Sequence, residues 1–146
     1  MKAYPNAGGI GVQWCIFGSN GHISKPEGGV LENYTMRSED NFPNNRNIKT
    51  ICDPLKIFAI TSVHRPAFRR GFHLLDENGG IINGSESEEI HFSKIRINHY
   101  FCKSLEEYKA KRLRGMADHL KGIRSMQDFY HHDQNIIHDT EILSLV

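Results

Sequence analysis

The sequence predicts an α/β chain with its strands first and its helices last, an order that fits α+β or one part of a larger α/β unit. Two observations carry this expectation. Short apolar runs bounded by Gly, Pro, Asn and Asp recur up to about residue 103. From Ser104 onward, apolar residues follow roughly helical spacing instead. A length of 146 residues allows one domain with a real hydrophobic core. The expected organisation is therefore a single domain over residues 1–146, mostly strands and loops over 1–103 and a helical tail over 104–146.

Residues 8–17 read as the first strand, with Val12, Trp14 and Ile16 on one face. Phe17-Gly18-Ser19-Asn20-Gly21-His22 then forms a glycine-rich turn. Ser24 as a cap and Pro26 in the first turn would start a helix running through Val30, Leu31 and Tyr34 towards Arg37, although Gly28 and Gly29 oppose it. Residues 40–47 are a polar loop, and residues 48–52 and 57–63 are short strands. Asp76-Glu77-Asn78-Gly79 is a hairpin turn between residues 71–75 and 80–82. Residues 83–89 make another loop, and residues 90–101 one or two strands.

Ser104-Leu105-Glu106-Glu107 is a capping box: a hydroxyl cap with a carboxylate three residues later. Leu105, Tyr108, Leu113, Met116, Leu120 and Ile123 continue the helix, interrupted by Gly115 and Gly122. Residues 126–131 and 140–145 read as two further short helices.

Composition excludes several classes. A net charge of +1 offers no global attraction to nucleic acid or a membrane surface. No apolar run approaches the ~20 residues of a membrane span, and no leader pattern follows Met1. Cys15, Cys52 and Cys102 are odd in number and far apart, which suits buried thiols in a reducing cytoplasm. The basic run Lys109, Lys111, Arg112, Arg114, Lys121 and Arg124 lacks interleaved aromatics and reads as a solvated helix face.

The chemistry concentrates in Ile97-Asn98-His99-Tyr100-Phe101-Cys102-Lys103-Ser104, at the exit of an apolar strand before a charged helix. His99 offers a metal ligand, while Lys103 and the helix N-terminus would attract phosphate oxygens. The plainer alternatives are a structural histidine, a solvated lysine and, for Ser104, a cap. Trp14 beside the permissive Gly18–Gly21 turn suits a sugar, which packs C–H faces on rings and bonds through its hydroxyls. A core tryptophan beside an ordinary turn is the alternative. Glu27 and Glu32 are nearby carboxylates able to act as a general base, or only to offset a helix dipole. His131, His132, Asp133, His138 and Asp139 match no standard zinc spacing; Asp133, Asn135 and Asp139 read better as caps and turn residues.

These pieces in order resemble the C-terminal half of glycosyltransferase family 92 and the related family-2-like bacterial glycosyltransferases. The residues that carry the likeness are Trp14-x-x-Phe17-Gly18-Ser19-Asn20-Gly21-His22, Pro26-Glu27-Gly28, residues 49–54, Asp76-Glu77-Asn78-Gly79, Ile97-Asn98-His99-Tyr100-Phe101-x-Lys103-Ser104 and Phe129-Tyr130-x-His132-Asp133-x-Asn135-x-x-x-Asp139. The resemblance implies a partial GT-A-type sheet with C-terminal helices, and transfer of a sugar from a nucleotide-sugar donor to a hydroxyl of a glycan acceptor, with inversion. It implies Mn²⁺ or Mg²⁺ on the diphosphate, His99 as the last metal ligand, and Lys103 near the diphosphate. Trp14, Ser19 and His22 would line the acceptor side, and Glu27 would serve as base. The family's D-x-D motif is absent from this sequence. The chain is therefore expected to be truncated, inactive alone, and completed by a missing N-terminal half or by dimerisation through an open sheet edge. The competing expectation is a non-catalytic carbohydrate-binding or interaction module.

Overall fold

A computed structural model describes residues 4–62, 64–91, 93–115 and 124–145. In chain order its elements are β1 (Ala7–Ile16), α1 (Val30–Asn33), β2 (Met36–Arg37), β3 (Ile48–Cys52), β4 (Ile57–Ile60), β5 (Pro66–Phe68), β6 (His73–Leu75), β7 (Ile97–His99), α2 (Leu105–Arg114), α3 (Met126–His132) and β8 (Ile137–His138). Short 3₁₀ turns at Pro43–Arg46, Pro54–Lys56 and Glu141–Leu145 fill the gaps. The described residues thus include both helices and strands, and one sheet has both parallel and antiparallel pairs. No helix among the described residues is long and apolar enough to cross a membrane.

The chain forms two compact units, and they do not divide at residue 103. One takes the residues up to Cys15 together with Asp40–Ile97; the other takes Ile16–Glu39 together with the residues from Asn98 on.

In the first unit β1 is the central strand. It runs antiparallel to β3, with Gly9 opposite Cys52 and Gln13 opposite Ile48, and parallel to β6, with Ile10 opposite Leu75. Val12 and Ile16 on one face are buried with Trp14 half-buried between them, and Gln13 and Cys15 on the other face are buried as well, so both faces of the strand are covered. Glycine makes this packing possible: a Cβ on Gly11 would lie 2.6 Å from Ile82 Cδ1. Ile48, Leu74 and Ile82 form the core, with Phe68 against them. Buried Gln13 is satisfied by Glu89, whose carbonyl accepts at 2.6 Å, and by His91, whose N–H donates at 2.7 Å. The 76–79 turn forms as expected, with Asp76 Oδ1 accepting from the N–H of Asn78 and of Gly80, each at 2.8 Å. The strand expected over 57–63 runs over Ile57–Ile60, and among the described residues of 90–101 the strand is Ile97–His99.

In the second unit the helix expected from Ser24 to Arg37 is replaced by the single turn α1, and Met36–Arg37 pairs with β8 instead. Gly28 sits at φ +93°, a left-handed conformation that ends regular structure, and Gly29 caps α1 without a side-chain bond. Asn33 Nδ2 folds back onto the carbonyls of Glu27 (2.7 Å) and Gly29 (2.8 Å). The capping box of α2 forms with both reciprocal bonds, and Ser125 with Asp128 builds a second one on α3. Cys102, Tyr108 and Phe129 are the buried core, joined by Phe101, Leu105 and Met126. The apolar positions Met116, Leu120 and Ile123 lie outside the described residues. All three cysteines are free; Cys15 and Cys102 are buried and Cys52 is partly so.

Candidate functional site

Five of the six residues singled out by sequence lie in the second unit: Ser19, His22, Glu27, His99 and Lys103. Trp14 belongs to the first unit. There its ring lies 5.7 Å from the His64 ring, with Lys49 Nζ 6.0 Å from its centroid.

Strand β7 ends at His99, whose carbonyl accepts from Phe17 N–H at 3.1 Å and from Phe101 N–H at 2.9 Å. The second bond closes a tight turn that leads to Lys103. Lys103 holds φ +54°, a strained value for a residue with a Cβ, which costs roughly 1–3 kcal/mol unless the surroundings enforce it. The enforcement comes next in the chain. Ser104 N–H donates to the Tyr34 hydroxyl at 3.0 Å, Tyr34 donates to Glu107 Oε2 at 2.6 Å, and Ser104 Oγ donates to the same oxygen at 2.9 Å. Lys103 Nζ reaches the other oxygen, Oε1, at 3.5 Å. Burial alone would raise the Glu107 carboxyl, but the bonds from Tyr34 and Ser104 outweigh it and hold the group below the usual carboxylate range. Tyr34 is pushed up to about 12, by burial first and then by its bond to Glu107.

The N-terminus of α2 does not serve as an anion site, which corrects the sequence expectation. Its leading N–H groups are already taken: Leu105 donates to the His22 carbonyl at 3.0 Å, Glu106 to the Ile23 carbonyl at 2.9 Å, and Glu107 to Ser104 Oγ at 3.2 Å. The same bonds fix the glycine-rich loop. His22 sets its ring edge-on to Tyr34 at 5.5 Å and its Nε2 3.1 Å from the Asn33 carbonyl. His22 and Lys103 are thereby connected through Tyr34 and Glu107.

Ser19 is buried, and its polar groups build the turn: its N–H donates to Asp133 Oδ1 at 2.6 Å, and its Oγ accepts from Gly21 N–H at 3.1 Å. Asn20 N–H donates to Asn135 Oδ1 at 2.8 Å. Asp133 and Asn135 therefore clamp this loop, more than they cap the last helices. Asp139 does terminate the chain locally, through Glu141 N–H, but its main partner is Arg37 Nε at 2.7 Å. A Cβ on Gly18 would collide with Asn135 and lie 2.5 Å from the Gln134 carbonyl, a backbone atom that no rotamer can move. Gly18→Ala is expected to destabilise the protein by roughly 1–3 kcal/mol, read as a lower urea midpoint at unchanged slope.

Glu27 is exposed, on the loop before α1, with its main-chain carbonyl held by Asn33. His99 is half-buried, its ring 5.9 Å from that of Phe101. Among the described residues no group of three His, Cys, Asp or Glu side chains is placed to hold a metal ion.

Beside Lys103 lies a cavity of about 380 Å³, walled by Tyr100, Phe101, Lys103, Glu107, Lys111 and Arg114. Lys111 was expected on a solvated face, yet it is half-buried, donating to the Phe101 carbonyl at 2.8 Å with Nζ 4.2 Å from the Phe101 ring centroid. Burial, helped by neighbouring Arg124, pushes its amine down to about 8. The ring of His132 stacks on Phe101 at 3.9 Å, and its imidazole is lowered by burial. The signal that would have found Lys111 and Arg114 is their spacing from Lys103: positions 103, 107, 111 and 114 fall on one helical face.

Comparison of the chain with protein-family models, with curated proteins and with solved structures returned no match.

Proposed function

We propose that this chain is a glycosyltransferase-like domain, carrying the acceptor side of a site that moves a sugar from a nucleotide-sugar donor to a hydroxyl. The observation that carries the reading is the second unit itself. The Phe17–His22 loop and the Ile97–Ser104 segment, the two stretches most distinctive in sequence, are held together there by the Leu105–His22 and Phe17–His99 bonds, with His22 and Lys103 joined through Tyr34 and Glu107.

In this reading the acceptor oxygen attacks the anomeric carbon in line, with inversion. The bond from that carbon to the diphosphate oxygen breaks as the new glycosidic bond forms. The acceptor proton passes to the Glu27 carboxylate, which is exposed and open to a substrate. The diphosphate leaves with the bonding pair, its charge met by Lys103. Mn²⁺ or Mg²⁺ would supply further charge in a complete site. The described residues do not by themselves fit such an ion, since His99 stands without two further ligands in a group. No step is therefore assigned to the metal.

The test is release of nucleoside diphosphate from a panel of nucleotide sugars, with hydroxyl acceptors and Mn²⁺, by the full chain. Acceptor-dependent release is expected, reduced at least tenfold by Glu27→Gln, in keeping with typical general-base contributions of about 10²–10⁴, and His99→Ala is expected to weaken its dependence on Mn²⁺. Absence of release with every donor, together with saturable glycan binding without nucleotide, would assign the chain to non-catalytic carbohydrate binding. Full metal-dependent transfer by His99→Ala would remove His99 from the site.

A further inference from the structure

The second unit holds two cations, Lys111 and Arg114, that the sugar-transfer reading does not use, beside Lys103, which it does. Lys103, Lys111 and Arg114 lie on one face of the α2 segment and border the same cavity of about 380 Å³. The volume has room for a diphosphate together with part of a larger ligand. Among the described lining residues Glu107 is the one negative charge, and it is already engaged by Tyr34, Ser104 and Lys103. The wall therefore carries three positive charges against one negative.

We propose that this cavity binds a diphosphate-class anion through Lys103, Lys111 and Arg114. The proposal deepens the sugar-transfer reading, on which it rests for the rest of the ligand, and moves the anion's seat from the helix N-terminus to the exposed face of α2. The N-terminal N–H groups cannot perform this task because His22, Ile23 and Ser104 occupy them.

The site is pre-organised in two ways. Lys103 is held at φ +54° by the turn and the capping box, so its backbone does not have to be ordered on binding. Lys111 is held by the Phe101 carbonyl and lies over the Phe101 ring, and so also loses little freedom. Its ammonium is partly desolvated, which makes an incoming anion worth more to it than to a lysine in water. The charged and titratable groups around Lys111 agree with this role. Arg124, Arg114 and Lys103 repel its proton. The Cys102 thiol is raised to about 12 by burial and stays neutral. Tyr108 is raised, chiefly by burial, and also stays neutral. The lowered imidazole of His132 adds no charge near neutral pH. Lys111, its amine pushed down to about 8, is therefore the cation of this wall whose charge changes near neutral pH, and an anion beside it favours its protonated form.

The probe is inorganic pyrophosphate, titrated calorimetrically into the full chain at constant ionic strength, with sulfate as the competing simple anion. Pyrophosphate is expected to bind at least tenfold tighter than sulfate at pH 7, with affinity falling several-fold between pH 7 and pH 9. Lys111→Met, which keeps the apolar stem, is expected to weaken binding at least tenfold and to remove the proton uptake that exceeds pyrophosphate's own titration. Lys111→Arg is expected to retain affinity within about threefold and to flatten the pH profile. Arg114→Gln changes an exposed residue and serves if Lys111→Met fails to fold; it is expected to weaken binding about threefold to tenfold. Equal binding of pyrophosphate and sulfate, or unchanged affinity in both Lys111→Met and Arg114→Gln, would overturn the site. Pyrophosphate binding without sugar transfer from any donor keeps the anion site and overturns the transfer reading. Transfer with undiminished donor affinity in Lys111→Met does the reverse.

Discussion

Tyr108→Ala is expected to cost about 3–5 kcal/mol of folding stability, the range for deleting a buried aromatic ring. Tyr108 is fully buried, its ring 5.1 Å from that of Phe129 and 5.8 Å from that of Phe101. Its removal strips the shared surface from the core of the second unit and leaves a cavity in its place. Its hydroxyl also donates to the Ser125 carbonyl at 3.0 Å, tying α2 to the start of α3. Tyr108→Phe loses only this bond and should cost about 1 kcal/mol. Urea unfolding of the two variants separates the packing contribution from the polar one. Against a total stability of roughly 5–15 kcal/mol, the alanine variant should be partly unfolded at 37 °C. A loss below about 1 kcal/mol would show that Tyr108 is not the centre of this core.

Glu107→Ala is expected to cost about 2–4 kcal/mol, combining a lost capping interaction of about 1 kcal/mol with buried donors left without an acceptor. Tyr34, Ser104 and Lys103 all lose their shared partner at once. The effect carries a pH signature. The folded protein holds the Glu107 carboxyl below its unfolded value, so its stabilisation is complete above about pH 4.5 and is lost as pH falls through the folded value. Wild-type stability should therefore drop more steeply than that of the variant between about pH 5 and pH 3. Parallel curves would show that Glu107 is not held ionised by the fold. The same substitution frees Lys103 from its only carboxylate among the lining residues of the cavity, so pyrophosphate affinity should rise or hold where the variant is folded, while stability falls.

Much of the local architecture was legible in the residues. The Ser104–Glu107 box, the Asp76–Gly79 turn, β1 and β3 all form where turn and cap chemistry place them. The failures have identifiable causes. The helix expected from Ser24 gave way because Gly28 takes a left-handed conformation and because Met36–Arg37 finds a strand partner about a hundred residues later in β8. The candidate site was legible as a set of residues but not as an arrangement. His99 and Lys103 were conspicuous in one motif, whereas Tyr34, the residue that connects His22 to that motif through Glu107, carried no signal beyond helical spacing. Lys111 was read as a solvated charge because a run of six basic residues gives no indication which of them a turn will cover.

What the sequence by itself determined is short-range: caps, turns and strand positions set by groups within about five residues of each other, where backbone sterics and local hydrogen bonds suffice. What only the tertiary structure decided is long-range. Tyr34 meets Glu107 across 73 positions and Ser19 meets Asp133 across 114. Lys111 is desolvated by burial, with its ammonium over the Phe101 ring. Such environments follow from which apolar faces bury together, and that choice minimises exposed surface over the whole folded unit, a quantity that no local pattern of residues encodes.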